Sequence, residues 1–325
     1  MTFDKWKYAV VLLCTLFLIA ILLSQIHVQN LVGVLSRLSW QWFLVGLLLC
    51  VCNYSLRSLR FQLLISSKPV SFMNLLPVSF VHGMYNQLLP LRTGEISYMI
   101  ILKKTHSVSL SEGFSTLFVA RVFDLCVISV ILTILSILYL DDLPNNFLKY
   151  VVLISGMVIG FSVTLFFVKA IAWKIFRIVE KVFMLIRLEK NVFFGRLLRT
   201  MKEVTNVFHV IRSQRNGAKI LALTVLIWCS TFLILYVVLL SIGYPLNVWK
   251  VVFVNVAVIM TTLLPVQGFA NFGTLEVSWT VVFLWLGYSK DVAIVTAFGS
   301  HVVLLAYVIC LGVMGLLWLR QQRER

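Results

Sequence analysis

Hydrophobic positions in this chain come in long unbroken runs. Stretches free of charged side chains cover residues 8–36, 38–56, 125–140, 150–168, 220–249 and 292–319. With their flanks, these reach the ~20 apolar residues that a helix needs to cross ~30 Å of hydrocarbon. The runs predict six full spans, near 8–26, 40–63, 110–140, 150–170, 220–242 and 292–318. Two further apolar segments, 70–103 and 245–289, bring the total to eight.

The polar interruptions order these segments across a membrane. Lys5 and Lys7, then Arg57, Arg60, Lys68, Lys103 and Lys104, then the basic stretch from Lys169 to Lys219, then Arg320, Arg323 and Arg325 fall on one side. The other side holds only Arg37, Lys149, Lys250 and Lys290. Basic loops stay in the cytoplasm, so both termini are expected there, in a multi-pass protein of the cytoplasmic (inner) membrane. The same parity makes 70–103 leave from and return to the cytoplasmic face, and 245–289 leave from and return to the external face. Each is therefore expected to be a hairpin, re-entrant or fully spanning.

Both hairpins carry helix breakers. Leu88, Leu89 and Pro90 precede Gly94 and Glu95 in the first, and Leu263, Leu264 and Pro265 precede Gly268, Gly273 and Glu276 in the second. Proline removes a backbone donor and glycine loosens the next turn, so each hairpin is expected to unwind there. The prediction is an all-α integral membrane protein of six full spans and two broken hairpins. It forms a single transmembrane domain, 1–325, built as an inverted repeat of halves 1–142 and 143–325. Inverted-repeat transporters place substrate sites between such discontinuous helices.

Composition agrees. Hydrophobic residues make up 61% of 325 and charged residues only 12%, more apolar surface than a soluble domain of this size can hide. The net charge of +16 follows from topology rather than nucleic-acid binding, because it sits in a few connecting segments. Cys14, Cys50, Cys52, Cys126, Cys229 and Cys310 all lie in apolar stretches without zinc spacing, which suits membrane packing. The N-terminal run is too long for a cleaved signal and reads as a first span. Between 172 and 218, apolar and basic residues alternate at helical spacing, predicting a basic amphipathic helix at the cytoplasmic interface.

Charge inside the runs marks candidate chemistry, because ionisable groups at membrane depth are costly. Arg92 and Glu95 flank the first break, with Asn86 just before it. A guanidinium there can clamp a phosphodiester or diphosphate, or it can reach the cytoplasm and pair with Glu95. Arg121 and Asp124 stand three residues apart, close enough on one helical face to pair with each other. Glu112 is expected to cap an interfacial turn. In the second hairpin, Gln267, Asn271 and Glu276 supply polar groups without a cation, and Glu276 fits either a proton- or amine-facing role or external water. His82 and His301 look isolated, and Asp141 with Asp142 fits a solvated turn. No metal site, cofactor motif or catalytic motif is present, so no cofactor is expected.

In their order, Asn86, Pro90, Arg92, Gly94 and Glu95, then Arg121 and Asp124, then Leu264, Pro265, Gly273 and Glu276 resemble the lysylphosphatidylglycerol synthase transmembrane-region family. The resemblance covers most of the chain and implies a flippase-like member without the soluble synthase domain. Family members look like lipid translocases, and stand-alone ones are also associated with glycolipid and polyprenyl-phosphate pathways. The expected partner is thus a membrane lipid: an anionic or zwitterionic phospholipid, or a polyprenyl-phosphate-linked lipid. A cytoplasmic synthase is a second candidate partner; nucleic acid is not expected. The expected function is translocation of a lipid headgroup through a polar cavity between the hairpins. Substrate contacts would come from Asn86, Arg92, Glu95, Arg121, Asp124 and Glu276, and hinges from Pro90, Gly94, Pro265, Gly268 and Gly273. The alternatives are a glycosyl- or acyltransferase using Glu95 or Asp124 as base, and a scaffold for a cytoplasmic lipid synthase.

Overall fold

The computed structural model describes residues 32–34, 36–90, 93–138, 216–262 and 268–324, with single positions at 20, 156 and 160. Apart from those single positions, the spans expected near 8–26 and 150–170 lie outside them, as do Asp141, Asp142 and all but the last three residues of the amphipathic stretch 172–218. The described helices are α1 (Trp40–Leu64), α2 (Phe72–Leu88), α3 (Gly94–His106), α4 (Leu110–Leu138), α5 (Asn216–Ser241), α6 (Val248–Thr262), α7 (Thr274–Trp285) and α8 (Lys290–Glu324). A 3-10 turn, Phe269–Asn271, precedes α7.

Among the described helices, four are long and apolar enough to cross a membrane: α1, α4, α5 and α8. They coincide with the four predicted spans that fall within the described residues. Their outward faces carry large apolar side chains, among them Trp40, Leu48, Ile137, Leu226 and Leu317, which water would disfavour and lipid accepts. The chain is an all-α integral membrane protein.

The remaining helices pair off. α2 and α3 have 17 and 13 residues, and α6 and α7 have 15 and 12. Each arm falls short of the ~20 residues of an ordinary crossing. The first break lies where proline and glycine predict it: α2 ends at Leu88, and α3 begins at Gly94. Between them, the carbonyl of Pro90 accepts from the Thr93 amide (3.2 Å) and hydroxyl (2.8 Å). Gly94 lies so close to α2 that a Cβ there would overlap the backbone of Tyr85 and Asn86. Its missing side chain lets the two arms close on each other.

The second break is written in backbone angles. Gly268 is extended, and left-handed φ values follow at Ala270 (51°), Asn271 (59°) and Gly273 (83°). Only the glycine adopts that region without strain. Pro265 lies outside the described residues.

Packing encloses the first hairpin. Every residue from Leu75 to Val81 is buried, so α2 has no lipid-facing side along these turns. α8 runs against it at Gly312 and Gly315, where a Cβ would collide with Met84 or come within 2.9 Å of the Pro77 carbonyl. Small residues at such contacts let helix backbones approach in membranes. α2 feeds both apolar cores. Leu76 and Phe80 join Trp228, Phe232, Phe253, Phe283 and Tyr307, while Leu75, Val78 and Val81 join Phe61, Tyr98, Leu102 and Phe123.

Candidate functional site: a cationic cavity between the two hairpins

α1 carries Asn53, Arg57 and Arg60 on one face, at intervals of four and three residues. Asn53 is fixed first. Its amide nitrogen donates to the Ile227 carbonyl (2.9 Å), the Ser230 hydroxyl (2.7 Å) and the Thr231 hydroxyl (3.0 Å) of α5. Its carbonyl oxygen is thereby turned to accept from Arg57 Nε at 2.8 Å. That bond holds the guanidinium by its inner nitrogen, and Arg57 is one of the residues that line the cavity described below.

One turn on, Arg60 is 1% exposed. Its two terminal nitrogens engage the Asp124 carboxylate at 2.6 and 3.3 Å, and one of them also donates to Thr224 at 3.2 Å. Trp228 Nε1 donates to the same carboxylate at 3.0 Å. Asp124 therefore ties α1, α4 and α5 together. Bidentate, charge-assisted bonds of this kind offset the desolvation of a buried pair.

Asp124 does not pair with Arg121, contrary to the sequence expectation. Arg121 instead reaches Glu95 of α3 at 3.0 Å, with both side chains about a third exposed. The buried carboxylate takes the guanidinium that arrives with better geometry from another helix, and spacing within α4 does not decide the pairing. Arg57 and Arg60, grouped by sequence with cytoplasmic basic residues, belong to the interior of a span.

These groups line a cavity of about 350 Å³. α2 contributes His82, Asn86 and Gln87; α6 contributes Asn255 and Val258; the turn and α7 contribute Asn271, Leu275 and Trp279; α8 contributes Ser300 and Leu304. Both hairpins therefore border one space. Among the described lining residues, Arg57, Arg60 and Arg121 face a single carboxylate, Asp124. Asn86 Oδ1, Asn271 Oδ1 and His82 Nδ1 are buried without hydrogen-bond partners.

Glu276 sits apart from that lining. It is fully buried, which removes the external-water alternative of the two that the sequence left open. One oxygen accepts from the Gly273 amide at 2.7 Å, capping α7, and the other meets His301 Nδ1 of α8. His301, which looked isolated, pairs with this carboxylate, stacks near Phe272 (4.4 Å) and faces Gln87 of the first hairpin at 3.4 Å. The second hairpin thus has a partner for its acid.

Glu112 does cap a turn, but the turn belongs to another helix. Its carboxylate accepts from the amides of Ser66 (2.7 Å) and Ser67 (2.8 Å), just after α1. Arg92 lies outside the described residues. Asn86, Arg121 and Asp124 meet at the cavity, Glu95 joins them through Arg121, and Pro90, Gly94, Gly268 and Gly273 sit at the breaks. Sequence reasoning missed Asn53, Arg57, Arg60, Asn255, Gln87 and His301. The signal for the first three was their spacing on one helix face.

The family model for the lysylphosphatidylglycerol synthase transmembrane region matches residues 6–312. The chain belongs to this family. No curated protein and no solved structure matches it significantly. The matched span contains all the described residues that line the cavity, and family membership connects the chain to membrane lipids.

Proposed function

We propose that this chain is a lipid translocase of the cytoplasmic membrane, with both termini cytoplasmic. One observation carries the reading: a cavity bordered by both hairpins, cationic among its described residues, inside an otherwise apolar helical body. A charged headgroup crossing hydrocarbon faces a large desolvation cost, and fixed counter-charges along the path lower it. In this reading Asn86, Arg121 and Asp124 form the wall, Arg92 is a further candidate headgroup ligand, and Glu95 and Glu276 hold the hairpins in place. The inverted-repeat relation between halves 1–142 and 143–325 is part of the same proposal, since it lets one site face either side.

The carboxylates that an enzyme reading would use as general bases are both engaged. Asp124 accepts from Arg60 and Trp228, and Glu95 binds Arg121. This favours transport over group transfer.

The test is headgroup exposure in vesicles reconstituted with the purified chain. Headgroups should exchange leaflets faster than in protein-free vesicles, and Asn255→Trp, which fills the cavity, should slow exchange at least tenfold at equal folding. Wild-type rates matching empty vesicles would overturn the proposal, as would unslowed exchange in the filled variant.

A further inference from the structure

We infer that Glu276 and His301 form a proton-binding site, and that the proton it takes drives the movement of the two hairpins. The inference rests on the translocase reading for what the proton drives; the site itself stands on its hydrogen bonds.

Those bonds fix where the imidazole keeps its hydrogen. An amide nitrogen can only donate, so Gln87 Nε2, 3.4 Å from His301 Nε2, makes that ring nitrogen an acceptor. The ring hydrogen is then on Nδ1, which faces a Glu276 oxygen, and a carboxylate is the acceptor that such a donor needs. The other Glu276 oxygen already accepts from the Gly273 amide. The basic position left on the imidazole is the Nε2 lone pair, held by a side chain of the first hairpin.

That position is built for exchange. Both side chains of the pair are 0% exposed, and acid and histidine groups at membrane depth are the usual material of proton relays. Gln87 touches Nε2 and also lines the cavity, as does Ser300 beside His301. Turning the Gln87 side chain away opens the nitrogen to the cavity. The Phe272 ring lies 4.4 Å from the imidazole, an attraction that grows when the imidazole is charged. Of the helices packed against the pair, α7 presents Glu276 and α2 presents Gln87, which does not titrate. The cavity beyond Gln87 holds His82 of α2, Cys50, Tyr54, Arg57 and Arg60 of α1, and Arg121 with Asp124 of α4.

A proton on Nε2 turns that acceptor into a donor. Gln87 must then rotate its carbonyl inward or withdraw, because two facing donors leave each other unpaired. At the same time the bond to Glu276 becomes charge-assisted and tightens. Gln87 is the last residue but one of α2, beside the first break, and Glu276 lies in the first turn of α7, just after the second. One protonation therefore changes a bond at each break, with His301 of α8 as the link. The step balances: water on one side of the membrane gives a proton to the lone pair, and the same N–H bond breaks when the proton leaves to water on the other side. The co-reactant is a proton gradient.

The site is tested in the full purified chain by nitrogen NMR of 15N-labelled histidine, the His301 signals being those missing from His301→Gln. On acidification Nε2 should move from the lone-pair to the N–H position, while Nδ1 stays protonated. An Nε2 that never changes over the pH range in which the protein stays folded overturns the site. Coupling is tested in vesicles of phosphatidylcholine and phosphatidylglycerol carrying an imposed pH difference. One proton per lipid can hold a leaflet ratio of up to about tenfold per pH unit; wild type should shift phosphatidylglycerol towards one leaflet, and a protonophore should abolish the shift. His301→Gln and Gln87→Leu should both lose it, Gln87→Leu with His301 still taking its proton. Exchange that ignores the gradient in wild type, or a full shift in folded Gln87→Leu, overturns the coupling and keeps the translocase reading. No exchange under any condition overturns the translocase reading, and the nitrogen signal alone then keeps or overturns the proton site.

Discussion

Asp124 holds three helices through one carboxylate, and removing either member of its pair with Arg60 leaves a charge stranded in a dry interior. Breaking a buried pair in this way costs about 3–5 kcal/mol, whereas replacing both members with apolar residues of similar size is often neutral or better. Arg60→Ala and Asp124→Ala are each expected to lower the thermal midpoint of the detergent-solubilised protein sharply, and Arg60→Met with Asp124→Leu to recover most of it. A double variant no more stable than the single ones would mean that the bond from Trp228 is the main tie. Arg121→Ala, at a pair about a third exposed, should change the midpoint little, because solvent-exposed ion pairs contribute only about 0–1 kcal/mol.

At the scale of elements, the sequence was legible wherever the physics is local. The spans α1, α4, α5 and α8 announce themselves as apolar runs, and the first break is spelled by Pro90 and Gly94 within seven residues of Leu88. Partnerships were not legible. Asp124 finds Arg60 across 64 positions, and Glu276 finds His301 across 25, while the nearer Arg121 goes elsewhere. Spacing along one helix says which side chains share a face, but nothing about which face meets which. The left-handed backbone at Ala270 and Asn271 was equally silent, since neither residue type demands it. Gly94 offers the element-scale prediction. Gly94→Leu cannot fit against the Asn86 backbone, so the arms of the first hairpin should part. A cysteine pair designed across α2 and α3 should then cross-link less efficiently than in the parent protein.

For the molecule as a whole, the order in which its parts are made matters. α2 emerges early from the ribosome, yet the turns from Leu75 to Val81 have no lipid-facing side, and Gly312 and Gly315, which complete their surroundings, belong to the last described helix. Contacts so distant in sequence form late. Until α8 arrives, the first hairpin has arms too short to span and a surface meant for protein. A chain stopped after Gly287 should consequently still insert α1, α4 and α5 but be cleared rapidly by membrane quality control. Supplying α8 as a separate polypeptide should rescue it. The two glycines where α8 meets α2 therefore set more than a packing distance: they tie the burial of the first hairpin to the arrival of a helix made long after it.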